Sequence, residues 1–300
     1  MKFAITGSSG FLGSALRGHL LDRGHEVTRV VRSFAGVPPG EKVVVWHPEQ
    51  GTIEAASLEG HDGVIHLAGE NLFGVWTESR KRRIRESRVQ GTTLLARTLA
   101  GLEHKPRVLL SASAVGVYGV QPAEKTLTED SEPGSGFLAD VVREWEAATE
   151  PAAEAGIRVV RMRNGNVLHP SGGMLQVMVP LFRLGLGGKL GSGEQAFGWI
   201  ALEDVPPAML HVVEHGELAG PVNFVAPDPV TNEEFTRALA AVLGRPALFR
   251  LPAFAAKLAP GGMGEEMLLA SGRAVPERLL ASGYAFRCPD LKGALKAMLG

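Results

Sequence analysis

The run Lys2-Phe-Ala-Ile-Thr6, followed at once by Gly7-Ser-Ser-Gly10-Phe-Leu-Gly13, decides how the rest of the chain is read. Its first five residues are mostly apolar and stop at a glycine, as a buried parallel strand does. Beyond the glycines, Phe11, Leu12, Ala15, Leu16, Leu20 and Leu21 recur at helical spacing, and Gly24 stands where a helix C-cap belongs. The glycines therefore lie between a strand and a helix, the setting in which they carry meaning. Gly7 makes the tight turn, Gly10 admits a pyrophosphate close to the backbone, and Gly13 lets the helix pack on the strand. The helix N-terminus offers free N–H groups and a positive dipole end to phosphates. Thr6, Gly7, Gly10, Phe11, Leu12 and Gly13 are thus the first candidate contacts of a bound dinucleotide.

Further strand-like runs at 26–32, 43–46, 63–67, 107–113 and 158–163 alternate with helical stretches, which predicts an α/β fold with a doubly wound parallel sheet. Ligands of such sheets lie outside the carboxyl ends of the strands, so strand-ending residues matter most. The second run ends in Arg32-Ser33, with no carboxylate to grip a ribose 2′-OH. The Arg32 guanidinium suits a 2′-phosphate instead, which argues for NADP(H) over NAD(H); the competing reading leaves Arg32, and Arg29 likewise, as solvated surface. Leu67, Ala68 and Gly69 are small or apolar enough for the cofactor to approach, whereas His66 reads as a packed strand residue. Between Arg80 and Arg88 lies the densest basic segment, a solvated helix face or, for Arg88, a side chain turned into the cleft.

The composition bounds the rest. With 300 residues, 45% of them hydrophobic and 21% charged, the chain buries a large core in one large domain or two. Lys and Arg number 31 against 32 Asp and Glu, a net charge of −1, so there is no electrostatic case for nucleic acid or an anionic membrane, and neither is expected as a partner. Cys288 is the single cysteine, which fits a reducing compartment, and no apolar segment of signal or spanning length opens the chain. A cytoplasmic location and a small-molecule substrate are expected, with no metal site.

The spacing G-x-x-G-x-x-G resembles the short-chain dehydrogenase/reductase (SDR) superfamily in its extended form. Over its whole length the chain resembles the epimerase-like atypical SDR family. It shares H-L-A-G at 66–69, S-R-x-x-G-T at 87–92, F-L-A-x-V-x-x-x-W-E at 137–146, R-L-G-L-G-G-x-L-G-S-G at 183–193, and a C-terminal region carrying G-E-M-L-L and P-x-R-L. Two departures are Gly264-Glu-Glu266, where one Glu is usual, and Ala201, where histidine often follows W-I.

The resemblance implies a Rossmann domain over 1–168 with 199–228 returning to it. A substrate lobe would take 169–198 and 229–300, its family-specific region about 249–298. It implies that Ser113 meets the reacting oxygen of a substrate, that Ser111 lines the cofactor side, that Tyr118 is structural, and that Asn166 and Val167 touch the cofactor. Asp204 would serve as an N-terminal helix residue. Extended members pair through helices beside the active site, which makes a homodimer one implied assembly; the apolar face of Val141, Val142 and Trp145 reads equally as core.

Extended SDR enzymes use Tyr-x-x-x-Lys for proton transfer. Here Phe137 or Leu138 replaces the tyrosine and Val141 or Val142 the lysine. A substitute would come from Glu70, Asn71, Arg88 or an ordered water. The preferred expectation is an oxidoreductase or epimerase acting on a nucleotide-sugar-like or other small carbonyl compound. The alternative is a non-catalytic NADP(H)-binding regulator.

Overall fold

The apolar runs form one sheet of eight strands in a computed structural model that describes residues 1–254 and 260–300. In chain order the strands are β1 (Lys2–Thr6), β2 (Glu26–Val31), β3 (Lys42–His47), β4 (Thr52–Ile53), β5 (Gly63–His66), β6 (Val108–Ala114), β7 (Arg158–Asn164) and β8 (Gly220–Phe224). They lie side by side as β8-β7-β6-β5-β1-β2-β3-β4, parallel throughout except that β4 turns back against β3. Strand order reverses between β1 and β5. Their carboxyl ends therefore flank the crevice in which a doubly wound sheet holds its ligand.

Among the described residues the main helices are α1 (Phe11–Asp22), α2 (Glu78–Ala100), α3 (Phe137–Ala147), α4 (Glu150–Glu154), α5 (Gly173–Arg183), α6 (Val205–Glu214), α7 (Asn232–Leu243), α8 (Glu277–Ala281) and α9 (Leu291–Leu299). Side chains alternate across a strand, so each apolar run serves two layers. Phe3, Ile5, Leu110 and Val160 join Leu16 and Leu20 of α1 and Met209 of α6. Ala4, Val64, Leu109 and Val159 join Leu95 and Leu99 of α2 on the opposite face. A third core binds Leu175 and Phe182 of α5, Trp199, Phe235 and Leu239 of α7, and Leu295 of α9 into a C-terminal lobe.

Val141, Val142 and Trp145 are 1%, 4% and 6% exposed, so this face of α3 is core within the chain and is not left open to a second copy. A capping box opens α7: Thr231 accepts from the Glu234 N–H while the Glu234 carboxylate accepts from Thr231. Asp204 holds the N-cap position of α6 yet caps nothing there. Its buried carboxylate accepts the N–H groups of Arg287 (2.7 Å) and Cys288 (3.0 Å), tying the segment before α9 to the start of α6.

His66 pins β1, β5, α2 and α3 together. Thr6 Oγ1 accepts from the N–H groups of Leu67 (3.1 Å) and Ala68 (3.2 Å), which occupies both its lone pairs. Its own proton therefore goes to His66 Nδ1, 2.7 Å away, and His66 Nε2–H donates to Thr92 Oγ1 at 2.9 Å. Thr92 also accepts from the Trp145 indole at 2.9 Å. A second ring proton would find no acceptor, and burial pushes the His66 pKa down from 6.5 to about 4.

The unfolded chain thus takes up a proton before the folded one as pH falls. Stability present above pH 6.5 is lost between pH 6.5 and pH 4, by about 3 kcal/mol from this group. Urea denaturation across that range is expected to show the decline, with a shallower slope in His66→Asn. Equal slopes in both proteins would remove His66 as its source.

Candidate functional site

The glycine turn is built as its spacing requires. Gly7 has φ +66°, and a Cβ there would lie 2.8 Å from the Leu67 backbone at the end of β5. On Gly13 a Cβ would come within 2.2 Å of the Gly7 carbonyl, so any side chain there would push α1 off the turn. No side chain caps α1, and no acidic residue occupies its first turn. Its leading N–H groups and positive dipole end stay available to an anion. Phe11 packs against the turn between the short strand Asn166–His169 and α5, where a Cβ on Gly172 would meet its ring at 2.3 Å.

Arg29, which the competing reading left as solvated surface, is instead drawn under the glycine turn. It is 7% exposed, not solvated, and lies beneath the turn. Its Nε donates to Ser8 Oγ (3.1 Å), its Nη2 to Ser9 Oγ (3.3 Å) and its Nη1 to Glu41 (2.7 Å). That hydrogen bond, with the charges of Arg29 and Arg17, holds the Glu41 carboxyl below its usual range. Arg32 and Ser33, one step beyond β2, are exposed, and Arg32 has no ion-pair partner among the described residues.

At the end of β5, Leu67 and Ala68 are half-buried and Gly69 is exposed. The Arg88 guanidinium lies close behind Gly69, where a Cβ would be 3.5 Å from Cζ. Arg88 donates to the carbonyls of Glu70 and Ile84, both at 3.1 Å, and rests 5.1 Å from the Trp145 ring. Burial lowers its pKa to about 10, against the opposing pull of Glu70. Glu70 itself is paired with Arg80 and Arg83, and Asn71 Oδ1 accepts from the Phe73 N–H.

The end of β6 carries a closed polar network. Ser113, 3% exposed, donates its hydroxyl to Glu146 Oε1 at 2.5 Å. Glu146 also receives both arms of Arg163, Nε to Oε1 and Nη2 to Oε2, each at 2.9 Å. Burial alone would lower the Arg163 pKa, but the hydrogen bonds and charge of Glu146 outweigh it and raise it above the ordinary value. Arg163 Nη1 donates to the Tyr118 hydroxyl, which passes its proton to Asn223 Oδ1. Tyr118 is thus structural, as expected, and the Ser113 hydroxyl faces inward to Glu146. The pair was signalled by W-E at 145–146 and R-M-R at 161–163, but only the parallel register Ser113↔Arg163 brings these groups together.

Beside this network the site is apolar. Ala114 ends β6, and Leu138 packs near Gly116 just after it. Leu138 and Val142 therefore face the β6 end, whereas Phe137 turns to Trp76 and α2. Ser111 is 1% exposed inside β6, beside His66 in register. Asn166 is exposed but donates its amide to the Gly198 carbonyl (2.9 Å), and Val167 is half-buried.

The C-terminal region contributes a group that sequence reasoning did not assign. Glu266 accepts the N–H of Phe137 (2.9 Å) and of Leu138 (2.6 Å), capping α3 from more than a hundred residues away. Gly136, with φ +114°, leaves room for it. The doubled glutamate of Gly264-Glu-Glu266 was the visible signal.

Two cavities of about 390 and 340 Å³ lie along β2 and β3, lined among others by Glu26 and Lys42. Neither touches residues 7–13; strand topology and backbone geometry, not volume, locate the cleft.

Removing one partner of the Glu146–Arg163 pair strands a buried charge, which costs about 3–5 kcal/mol. Glu146→Ala is expected to lower the unfolding free energy obtained from urea denaturation by that amount. Loss of under about 1 kcal/mol would show that solvent reaches the pair.

Residues 3–225 match the NAD dependent epimerase/dehydratase family, and residues 251–298 match a domain of unknown function, DUF1731. An epimerase family protein of Mycobacterium bovis is 41% identical over 293 residues, covering 97% of this chain and 95% of its own. The human epimerase family protein SDR39U1 is 35% identical over 304 residues, all of both chains. A crystal structure of its isoform 2 with NADPH has a TM-score of 0.89 at 34% identity, covering 100% of this chain and 99% of that one. A UDP-glucose 4-epimerase from Thermotoga maritima, with UDP-glucose, shares the fold at a TM-score of 0.79 and 18% identity, covering 100% and 97%. With a family match over most of its length, a Rossmann sheet and relatives that align from end to end, the chain belongs to the NAD dependent epimerase/dehydratase family.

Proposed function

We propose that this protein binds NADP(H) outside the carboxyl ends of β1 and β5 and acts as an oxidoreductase or epimerase on a small carbonyl compound, nucleotide-sugar-like compounds included. The observation that carries the cofactor reading is the glycine cradle, closed to any Cβ at Gly7 and Gly13, with the exposed Arg32 one strand away. The human relative crystallised with NADPH supports it. Ser33, Leu67, Ala68, Gly69, Asn166 and Val167 complete the proposed cofactor contacts, and the C-terminal lobe with 251–298 forms the proposed substrate side.

When bound, the nicotinamide supplies or accepts a hydride. The chain's own residues then have two tasks, orienting the substrate carbonyl and providing hydrogen bonds to its oxygen. Arg88 and Asn71 are the proposed donors, since Leu138 and Val142 stand where a phenol and an ammonium would otherwise act. A guanidinium donates without losing its proton, so Arg88 would polarise the oxygen and leave protonation to water. Ser113 supports β6 through Glu146 instead of touching substrate.

A second reading, a binder without turnover, draws on the same closed network: the one serine hydroxyl at the end of β6 already has its acceptor. Nicotinamide fluorescence separates the questions. Wild-type protein is expected to enhance NADPH emission, and Arg32→Ala to weaken NADPH by about tenfold or more while leaving NADH within about twofold. Equal loss for both would refute the 2′-phosphate role. In a carbonyl panel, NADPH consumption is expected to fall sharply in Arg88→Met but little in Ser113→Ala. A blank panel with intact NADPH binding supports the binder.

A further inference from the structure

Two stretches far apart in sequence share an unusual chemistry. Residues 172–193 contain Arg183 and Lys189 but no acidic residue, and residues 244–264 contain Arg245, Arg250 and Lys257 and again none. In a chain with 32 acidic residues, such gaps fall together only if the fold places them so. It does: Gly188–Leu190 pairs in parallel with Phe249–Leu251, and the Phe249 N–H donates to the Gly187 carbonyl.

The joined surface is apolar as well as basic. Val177, Leu181 and Leu184 follow one another at helical spacing on the outer side of α5, at 57%, 44% and 75% exposure. Gly185 (φ +75°) turns the chain so that Leu186, 53% exposed, comes next to the paired strand. There Leu248, Phe249 and Leu251 are exposed, and Phe254 follows. Eight of the fifteen exposed large apolar side chains among the described residues belong to these two stretches, far more than scattered surface residues would give.

We propose that this face of the C-terminal lobe docks on an anionic lipid surface. Apolar side chains enter the boundary between headgroups and acyl chains, while Arg183, Arg245 and Arg250, all exposed, meet the headgroup phosphates. A second copy of the chain fits the face less well. An isologous contact would bring the same arginines of two copies together with no acidic residue in either stretch to answer them. Lys189 is the exception on the basic side, being paired with Glu233 of α7. No helix among the described residues is long and apolar enough to cross a membrane, so the attachment lies at the surface. The net charge of −1 conceals this face because neither stretch itself holds an acidic residue.

Co-sedimentation of the full chain with phosphatidylglycerol–phosphatidylcholine vesicles tests it. Binding is expected at low salt, with at least a tenfold loss on vesicles of phosphatidylcholine alone. Leu184→Glu combined with Phe249→Glu is expected to abolish it, and Arg183→Glu with Arg245→Glu to weaken it about thirtyfold or more. NADPH fluorescence enhancement in each variant checks that the fold is intact. Equal binding to neutral and anionic vesicles, or none to either, overturns the proposal. So does a wild-type dimer in analytical ultracentrifugation that Leu184→Glu dissociates, since that assigns the face to a second copy.

Discussion

A carboxylate and a guanidinium shut inside the protein, Glu146 and Arg163, set how α3 lies on the ends of β6 and β7. Burying two charges is costly unless every donor and acceptor is met, and here nearly every one is: Glu146 takes Ser113 and both arms of Arg163, and Arg163 gives its remaining donor to Tyr118 and the Glu129 carbonyl. Such a network tolerates little displacement. It fixes α3 against the strand ends, and with α3 the position of Leu138 beside Gly116, just beyond β6. A buried ion pair thus sets how the helix beside the end of β6 is placed.

Much of the fold was legible from the chain alone because local signals agreed with tertiary ones. The strand runs are short, apolar and separated by helical spacing, and the observed strands differ from them by a residue or two at each end. The glycine turn was readable for the same reason, being determined by near neighbours in sequence; the packed role of His66 was readable from its place in the strand, although its partners Thr6 and Thr92 lie far off in sequence. Arg29 and Ser113 were not. The first is an arginine in a strand whose burial depends on the Ser8 and Ser9 hydroxyls and on Glu41. The second is a strand-end serine whose partner sits thirty-three residues on. Spacing cannot reveal a contact that only the sheet register creates.

Charge gave a similar lesson. A balanced total says nothing of where the charges are, and this fold gathers two acid-free segments on one side of the C-terminal lobe. What the total excludes for the whole molecule, a local face can restore.

Glu266 joins two parts of the chain that match separate families, 3–225 and 251–298. Its carboxylate neutralises the positive end of α3 at the position where other extended folds place a phenol. A Rossmann segment of this kind, separated from its C-terminal companion, would carry an exposed helix end and a hollow beside Trp76, which Gly261 now abuts through the Trp76 carbonyl. Removing either segment would break a contact that neither can make by itself. Because the donors are the backbone N–H groups of Phe137 and Leu138, the contact depends on the carboxylate at 266 and on the space left by Gly136, not on the side chains at 137 and 138.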